Sequence, residues 1–379
     1  MSLVSLPQSF FFLIIGILGI SFLIAFHELG HFLFCKLFNI HTPSFSIGFG
    51  PRLISKKIGS TEFKISVIPL GGYVEIAGSA EPGQGKQKDA NRMDEQSFAI
   101  KPFWQKFLVM IGGILFNMAF AYFTFVIIFM TGLPKSRLLA PLTMKPTIST
   151  VADNSAAQKG GLKVGDTILA VENQKIGNDV GKLLKLLKPL ANQKILLRIA
   201  RDGKEKTLKL STDSREFMGE KIASLGVDFE LQEIRSKSLL DSIKAGIALT
   251  NKFIADTLKA FKHILTKHDV QQMGGPIMII AATAKGAGQG LKIFFIFLAI
   301  ISINLAVLNL IPLPILDGGQ ILFHLIEALF GRQLPIKVRE YIAIASWICF
   351  LLLFVYLSAQ DIYRLAGVYI QKILHIFRL

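Results

Sequence analysis

The chain has 379 residues, of which 51% are hydrophobic, 31 are Phe and 18% are charged, and its mean hydropathy is +0.51. That apolar excess excludes an ordinary soluble domain and predicts a polytopic α-helical membrane protein. Lys and Arg number 42 against 26 Asp and Glu, a formal charge of +16, but without a basic-aromatic interleaving pattern, so the lipid bilayer and no nucleic acid is the expected partner.

Four runs are long and apolar enough to cross a hydrocarbon core of about 30 Å, which takes roughly 20 helical residues. They lie near residues 8–35, 104–131, 291–313 and 341–359. The first lacks a positive n-region and a small-residue cleavage site, so it reads as a retained span. Between the first two runs, "SFSIGFGPRLISKKIGSTEFKISVIPLGGYVEIAG" has the Gly punctuation and β-branched alternation of short strands. Residues 80–96 are polar and predict a mobile loop. Residues 145–230 hold strand-like runs separated by Gly and Asp turns, and "AAQKGGLKVGDTILAVENQKI" resembles the PDZ fold in a single copy. Residues 238–268 have apolar positions at helical spacing with Lys between them, an amphipathic helix for the membrane surface or for the protein itself. Cys35 and Cys349 lie in or beside apolar runs and imply no disulfide framework.

The domain reading is therefore a membrane core in two parts, 1–144 and 291–379, separated by a PDZ-like domain at 145–230 and an amphipathic helical connector at 231–290. Lys36, Arg52, Lys56, Lys57 and Lys64 follow the first span, and Arg332, Lys337 and Arg339 follow the third. The positive-inside rule makes those connections cytoplasmic and puts the PDZ-like domain outside. Arg364, Lys372 and Arg378 in the tail weigh against that orientation.

The chemistry sits in "LIAFHELGHFLF", residues 23–34. Helical residues at i and i+4 share a face, so His27 and His31 can ligate one ion while Glu28 reaches an adjacent face. H-E-x-x-H is the pattern in which two imidazoles hold zinc, the metal activates water, and the glutamate takes the proton as water attacks a carbonyl. A single His in an apolar helix is ordinarily a packing residue. A carboxylate between two His is different, because a charged side chain at a bilayer centre costs roughly 2.5 kcal/mol or more unless something offsets it. A catalytic zinc has three protein ligands. The best third candidate is Asp317 in "NLIPLPILDGG", where Pro312 and Pro314 interrupt the helix and Gly318 and Gly319 let the backbone turn. Broken backbone at membrane depth needs protein or a water-filled cavity around it. His27 lies roughly 27 Å along a first span that runs parallel to the third, so it ends near the same face as Asp317. Glu327 and Asp361 read as solvated helix ends, and His263, His268 and His324 as interfacial or packing residues.

HELGH in a first span, NLIPLPILDGG in a third and a PDZ-like insert between spans two and three resemble the site-2 protease family of intramembrane zinc metalloproteases (peptidase M50-like), bacterial regulator-of-sigma-E protease type. "SIGFGP" and "IPLGGYVEIAG" resemble the family's membrane-associated β region, "GGILFN" its second-span Gly-x-x-x-Asn motif, and "GGPIMI" the segment before its third span. The resemblance implies one Zn2+ on His27, His31 and Asp317, Glu28 as general base, and Asn309, Gly48, Gly50, Pro312 and Pro314 in the substrate-binding set, with β-addition near Gly48–Gly50. Gly113 and Asn117 match the second-span motif and serve either close helix packing or function. The implied activity is cleavage in or near the transmembrane segment of single-span membrane proteins, as in regulated intramembrane proteolysis, with anti-sigma factors or signal-peptide remnants as candidate substrates and an upstream site-1-type protease as a candidate partner. The implied location is the bacterial cell (inner) membrane, with the active site near the cytoplasmic side and the PDZ-like domain, which would gate or recruit, extracytoplasmic. One PDZ copy departs from the two of the best-known proteobacterial members. A membrane adaptor with a structural metal would have no need of Glu28, and a metal transporter would need more intramembrane ligands and repeated spans.

Overall fold

The computed structural model describes residues 6–79, 87, 89–217, 220–236, 238–267, 274–332 and 335–376. The chain divides into two units, Met1–Ile128 with Leu240–Leu379, and Phe129–Leu239.

In the first unit four helices have the length and hydropathy to cross a membrane: Pro7–Leu37, Phe103–Thr131, Leu291–Asn309 and Lys337–Gly367. They belong to α1 (Leu6–Leu37), α2 (Phe103–Thr131), α7 (Leu291–Asn309) and α9 (Ile336–Ile376). The third ends at Asn309 rather than 313. Pro312 and Pro314 lack the amide hydrogens a further turn would need, and the chain resumes helix as α8 (Asp317–Phe330).

Between α1 and α2, β1 (Ser44–Ile58) and β2 (Thr61–Val74) form an antiparallel pair. Phe45 and Ser46 each face β2 twice, Phe45 against Phe63 and Val74, and Ser46 against Lys64 and Tyr73. Bending at Pro69–Gly71 brings the end of β2 back, so its last residues become an outer strand beside 44–47. Gly71 has φ +113°, a conformation that disfavours any residue with a Cβ. Phe45, Val74, Ile76, Val109 and Met110 pack this sheet against α1 and α2. In the described part of the loop read as mobile, Asp89 and Gln96 are tied to the fold: the His41 amide donates to Gln96 O at 2.8 Å and Gly78 N to Asp89 O at 2.8 Å. Residues 80–86 and 88 lie outside the described residues, as does His268.

The amphipathic segment forms α5 (Leu239–Lys267) and lies on the protein. Phe253 stacks on Phe125 of α2 with centroids 5.4 Å apart, Tyr122 donates to Asn251 at 2.6 Å, and Thr257 donates to Asn304 of α7 at 2.9 Å. An additional apolar helix, α6 (Pro276–Gly288), follows. At about 20 Å it is too short to span. It packs on α1, where a Cβ on Gly16 would sit 2.9 Å from the Ala284 nitrogen.

Two carboxylates differ from their reading as solvated helix ends. Asp361 of α9 is fully buried and accepts from the amides of Gly275 and Met278, each at 2.9 Å, capping α6 from another helix. Glu327 is 10% exposed and lies 3.3 Å from His324 and 3.5 Å from Arg339. Glu327 lies in the last turn of α8 and Asp361 well inside α9, which runs on past the apolar run that ends near 359, and each has a partner elsewhere in the chain.

In the second unit, β10 (Val227–Leu231), β3 (Met144–Val151), β4 (Thr167–Val171), β6 (Lys194–Arg201) and β7 (Lys204–Ser211) pair in that order, and β5 (Gln174–Lys175) pairs with β4. Helices α3 (Ala156–Lys159) and α4 (Val180–Leu187) and the hairpin β8 (Asp213–Phe217) with β9 (Glu220–Ser224) complete it. Its core includes Ile148, Ile168, Leu183, Leu197 and Ile199. Asp166, 1% exposed, receives two bonds from Arg201 at 2.6 and 2.7 Å and one from the Lys163 amide at 2.8 Å. Burial alone would raise this carboxyl, but the Arg201 fork and the Lys163 amide outweigh it and hold Asp166 below the usual carboxylate range. A lowered pKa in the folded state contributes stability that is complete above the ordinary carboxylate range and lost as the pH falls through the folded value. Asp166→Asn should destabilise this unit at pH 7 by about 2–3 kcal/mol, and the difference from the wild type should shrink as the pH is lowered toward 3. Amide exchange over residues 144–231 across that pH range checks both.

Candidate metal centre

Helix α1 carries His27 and His31 one turn apart, both buried. They face α2, which approaches to backbone contact. Gly30 packs against Gly112, whose own Cβ would lie 2.9 Å from Gly30 O. A Cβ on Gly113 would lie 2.5 Å from both His27 Cε1 and His31 Nε2. Small residues at these positions therefore make the space in which the imidazoles converge.

The third group arrives through the break after α7. Several polar groups of residues 310–316 are satisfied locally: Leu313 N donates to Ile311 O at 2.8 Å, Leu316 N to Leu313 O at 2.8 Å, and Gln320 Nε2 to Pro314 O at 2.6 Å. Gly318 lets this loop fold back on the first turn of α8, since a Cβ there would sit 2.5 Å from Leu310 O. The result places Asp317 Oδ2 3.2 Å from His27 Nε2 and Oδ1 3.5 Å from His31 Nε2, with the two Nε2 atoms 3.1 Å apart.

These three residues offer one ligand atom each, all within 4.8 Å of one another. His31 Nδ1 lies 2.8 Å from the Val109 carbonyl. A carbonyl only accepts, so Nδ1 carries the proton and neutral His31 presents a lone pair on Nε2. Asp317 Oδ2 is buried without a hydrogen-bond partner. A lone pair on His31 Nε2 and a buried carboxylate oxygen at this spacing, in an apolar bundle, suit a cation between them. Two ligands of a tetrahedral zinc at its usual bond lengths are roughly 3.3 Å apart, close to the spacings seen here. The donor set fits zinc.

A cavity of about 280 Å³ opens beside this cluster. It is lined by His27, Glu28, His31, Asp317, Asn309 and Pro314, and also by Val74, Asn117 and Trp347. Glu28 Oε2 accepts the Val74 amide at 3.2 Å, which fixes the carboxylate against the returning end of β2. Asn309 Nδ2 lies 3.4 Å from His27 Nε2. Gly48 (φ +86°), Gly50 (φ +89°) and Pro312 are not in the lining; the two glycines sit at the bend of β1, where a Cβ on Gly48 would lie 2.6 Å from Ile68 O. The Val109 carbonyl and the Val74 amide escaped sequence reasoning. Every residue has such backbone groups, so no side-chain signal marks them.

The profile of Peptidase family M50 matches residues 15–354. The chain belongs to peptidase family M50, the site-2 protease family. A protein of Campylobacter jejuni that carries a zinc-metalloprotease name is 35% identical, covering 93% of each chain. One of Clostridium perfringens, also with a zinc-metalloprotease name, is 31% identical over 93% of this chain and 98% of its own. "Membrane metalloprotease ARASP, chloroplastic" of Arabidopsis thaliana is 29% identical over 89% of this chain and 76% of its own. This M50 chain is a membrane zinc metalloprotease. Gly113→Ala should displace the imidazoles, lowering bound zinc and proteolysis on the order of tenfold or more, with unchanged expression. Metal analysis of the purified variant checks this.

Proposed function

We propose that this M50 protease cleaves peptide bonds in or near the transmembrane segments of single-span membrane proteins, with zinc on His27, His31 and Asp317 and Glu28 as the base. The observation that carries the reading is the single cavity, among apolar helices, that holds all four groups. Zinc bound there supplies Lewis acidity, which makes water a stronger acid and polarises a carbonyl. Glu28 is anchored through one oxygen by the Val74 amide and lines the same cavity, placed to take a proton from water and return it to the leaving nitrogen. Asn309 can donate to a carbonyl oxygen of the bound segment.

A helical substrate hides its amides and must become extended before a bond can be attacked. The end of β2, residues 72–74, pairs with β1 on one side, and Val74 lines the cavity. We assign the extended substrate to that edge by β-addition, with Gly48 and Gly50 shaping the bend that returns it. By the charge bias of the loops, the site opens near the cytoplasmic face of a bacterial inner membrane and the PDZ-like insert is extracytoplasmic, where it gates or recruits substrates such as anti-sigma factors or signal-peptide remnants already shortened by an upstream protease.

Cleavage of a single-span model substrate in liposomes tests the catalytic assignment. Glu28→Gln should cut about 10²–10⁴-fold more slowly than wild type, and a zinc chelator should abolish wild-type cleavage. Wild-type rates from Glu28→Gln would remove the base assignment.

A further inference from the structure

On α2 the side-chain amide of Asn117 lies 3.1 Å from His27 Nδ1. Asn117 is fully buried, and its backbone carbonyl accepts the Ser302 hydroxyl at 2.9 Å, so the residue is pinned between α1 and α7. As placed, the amide nitrogen faces Nδ1 and Oδ1 has no hydrogen-bond partner. The oxygen and nitrogen of a side-chain amide have nearly the same shape, so chemistry must decide which faces the ring.

If Nδ2 faced Nδ1, its N–H would donate to the ring, the imidazole proton would sit on Nε2, and that nitrogen would have no lone pair for a metal. If Oδ1 faces Nδ1, it accepts the Nδ1–H and leaves Nε2 unprotonated toward His31 Nε2 and Asp317 Oδ2. His31 already shows this arrangement with the Val109 carbonyl as acceptor. The Gly113 backbone is also within hydrogen-bonding reach of the His27 ring, so the Asn117 oxygen and Gly113 would share the same ring N–H. Gly113 and Asn117 are one turn apart on α2, as His27 and His31 are on α1. Two i, i+4 pairs therefore face each other, the glycine giving the imidazoles room and the asparagine giving one of them an acceptor.

We propose that Asn117 is a positioning residue for zinc: its side-chain oxygen accepts the His27 Nδ1–H, selecting the tautomer and ring orientation in which Nε2 can bind the metal. This rests on the reading of His27 as a zinc ligand. Metal-bound imidazoles generally donate their second N–H to such an acceptor. The assignment gives the second-span Gly-x-x-x-Asn pattern a chemical task beyond helix packing.

The test measures zinc per chain in full-length Asn117→Leu, Asn117→Asp and His27→Ala, equilibrated with graded zinc buffers, with metal-free unfolding as the fold check. Asn117→Leu should bind zinc about 10–100-fold more weakly than wild type, whereas Asn117→Asp, whose carboxylate also accepts the Nδ1–H, should bind within about threefold or more tightly. Wild-type affinity in Asn117→Leu, or equal loss in the Leu and Asp variants, would overturn the proposal. Loss in His27→Ala with none in Asn117→Leu would remove only the positioning role; wild-type zinc in His27→Ala would remove the ligand reading beneath it. If the Leu side chain disturbs the bundle, the smaller truncation Asn117→Ala is judged by the same two outcomes.

Discussion

Two imidazole nitrogens and a carboxylate oxygen converge within 4.8 Å inside a bundle of apolar helices, and the rest of the membrane unit is arranged around making that convergence tolerable. Acceptor atoms in a low-dielectric surrounding repel one another strongly. A cation placed among them would reverse the sign of that interaction, which is why these three donors suit a metal. Backbone contact between α1 and α2 at Gly30 and Gly112, and the missing side chain at Gly113, are the steric conditions for it. The Val109 carbonyl then sets the His31 tautomer.

The break after α7 answers a second constraint. A continuous helix would keep its peptide groups satisfied but would turn Asp317 in and out of register with the histidines according to helical phase alone. Unwinding at Pro312 and Pro314 frees the chain to place Asp317, at the cost of exposing peptide groups at membrane depth. Residues 310–316 repair that cost with short turns and the Gln320 side chain. The same irregularity leaves a cavity that can admit water, which hydrolysis requires and a bilayer excludes.

Elsewhere, polar groups act as fasteners at a few points. Helix α9 is mostly exposed along its length, as expected of a lipid-facing surface, yet its Asp361 is fully buried as the cap of α6, and its Trp347 lines the cavity. In the β-rich unit, Asp166 and Arg201 do the equivalent for a small core that owes its shape to a six-stranded sheet. Both carboxylates accept from backbone amides, and Asp166 holds Arg201 as well, which makes them specific for one chain path.

The four apolar helices and the His27–Glu28–His31 constellation were legible because they depend on local quantities. Hydropathy over some 20 residues decides a span, and a fixed 100° per residue decides which side chains share a face. Asp317 was legible through its flanking prolines and glycines, which announce a broken helix whatever surrounds it. Tertiary structure alone decided that α5 lies on α2 and α7, that 44–47 pairs with both ends of β2, that Asp361 is buried and Glu327 pairs with His324 and Arg339, and that Asn117 and the Val109 carbonyl stand behind the two imidazoles. Each of these is a choice of partner across tens or hundreds of residues, set by which surfaces fit and which polar atoms would otherwise be stranded, and neither period nor composition carries that information.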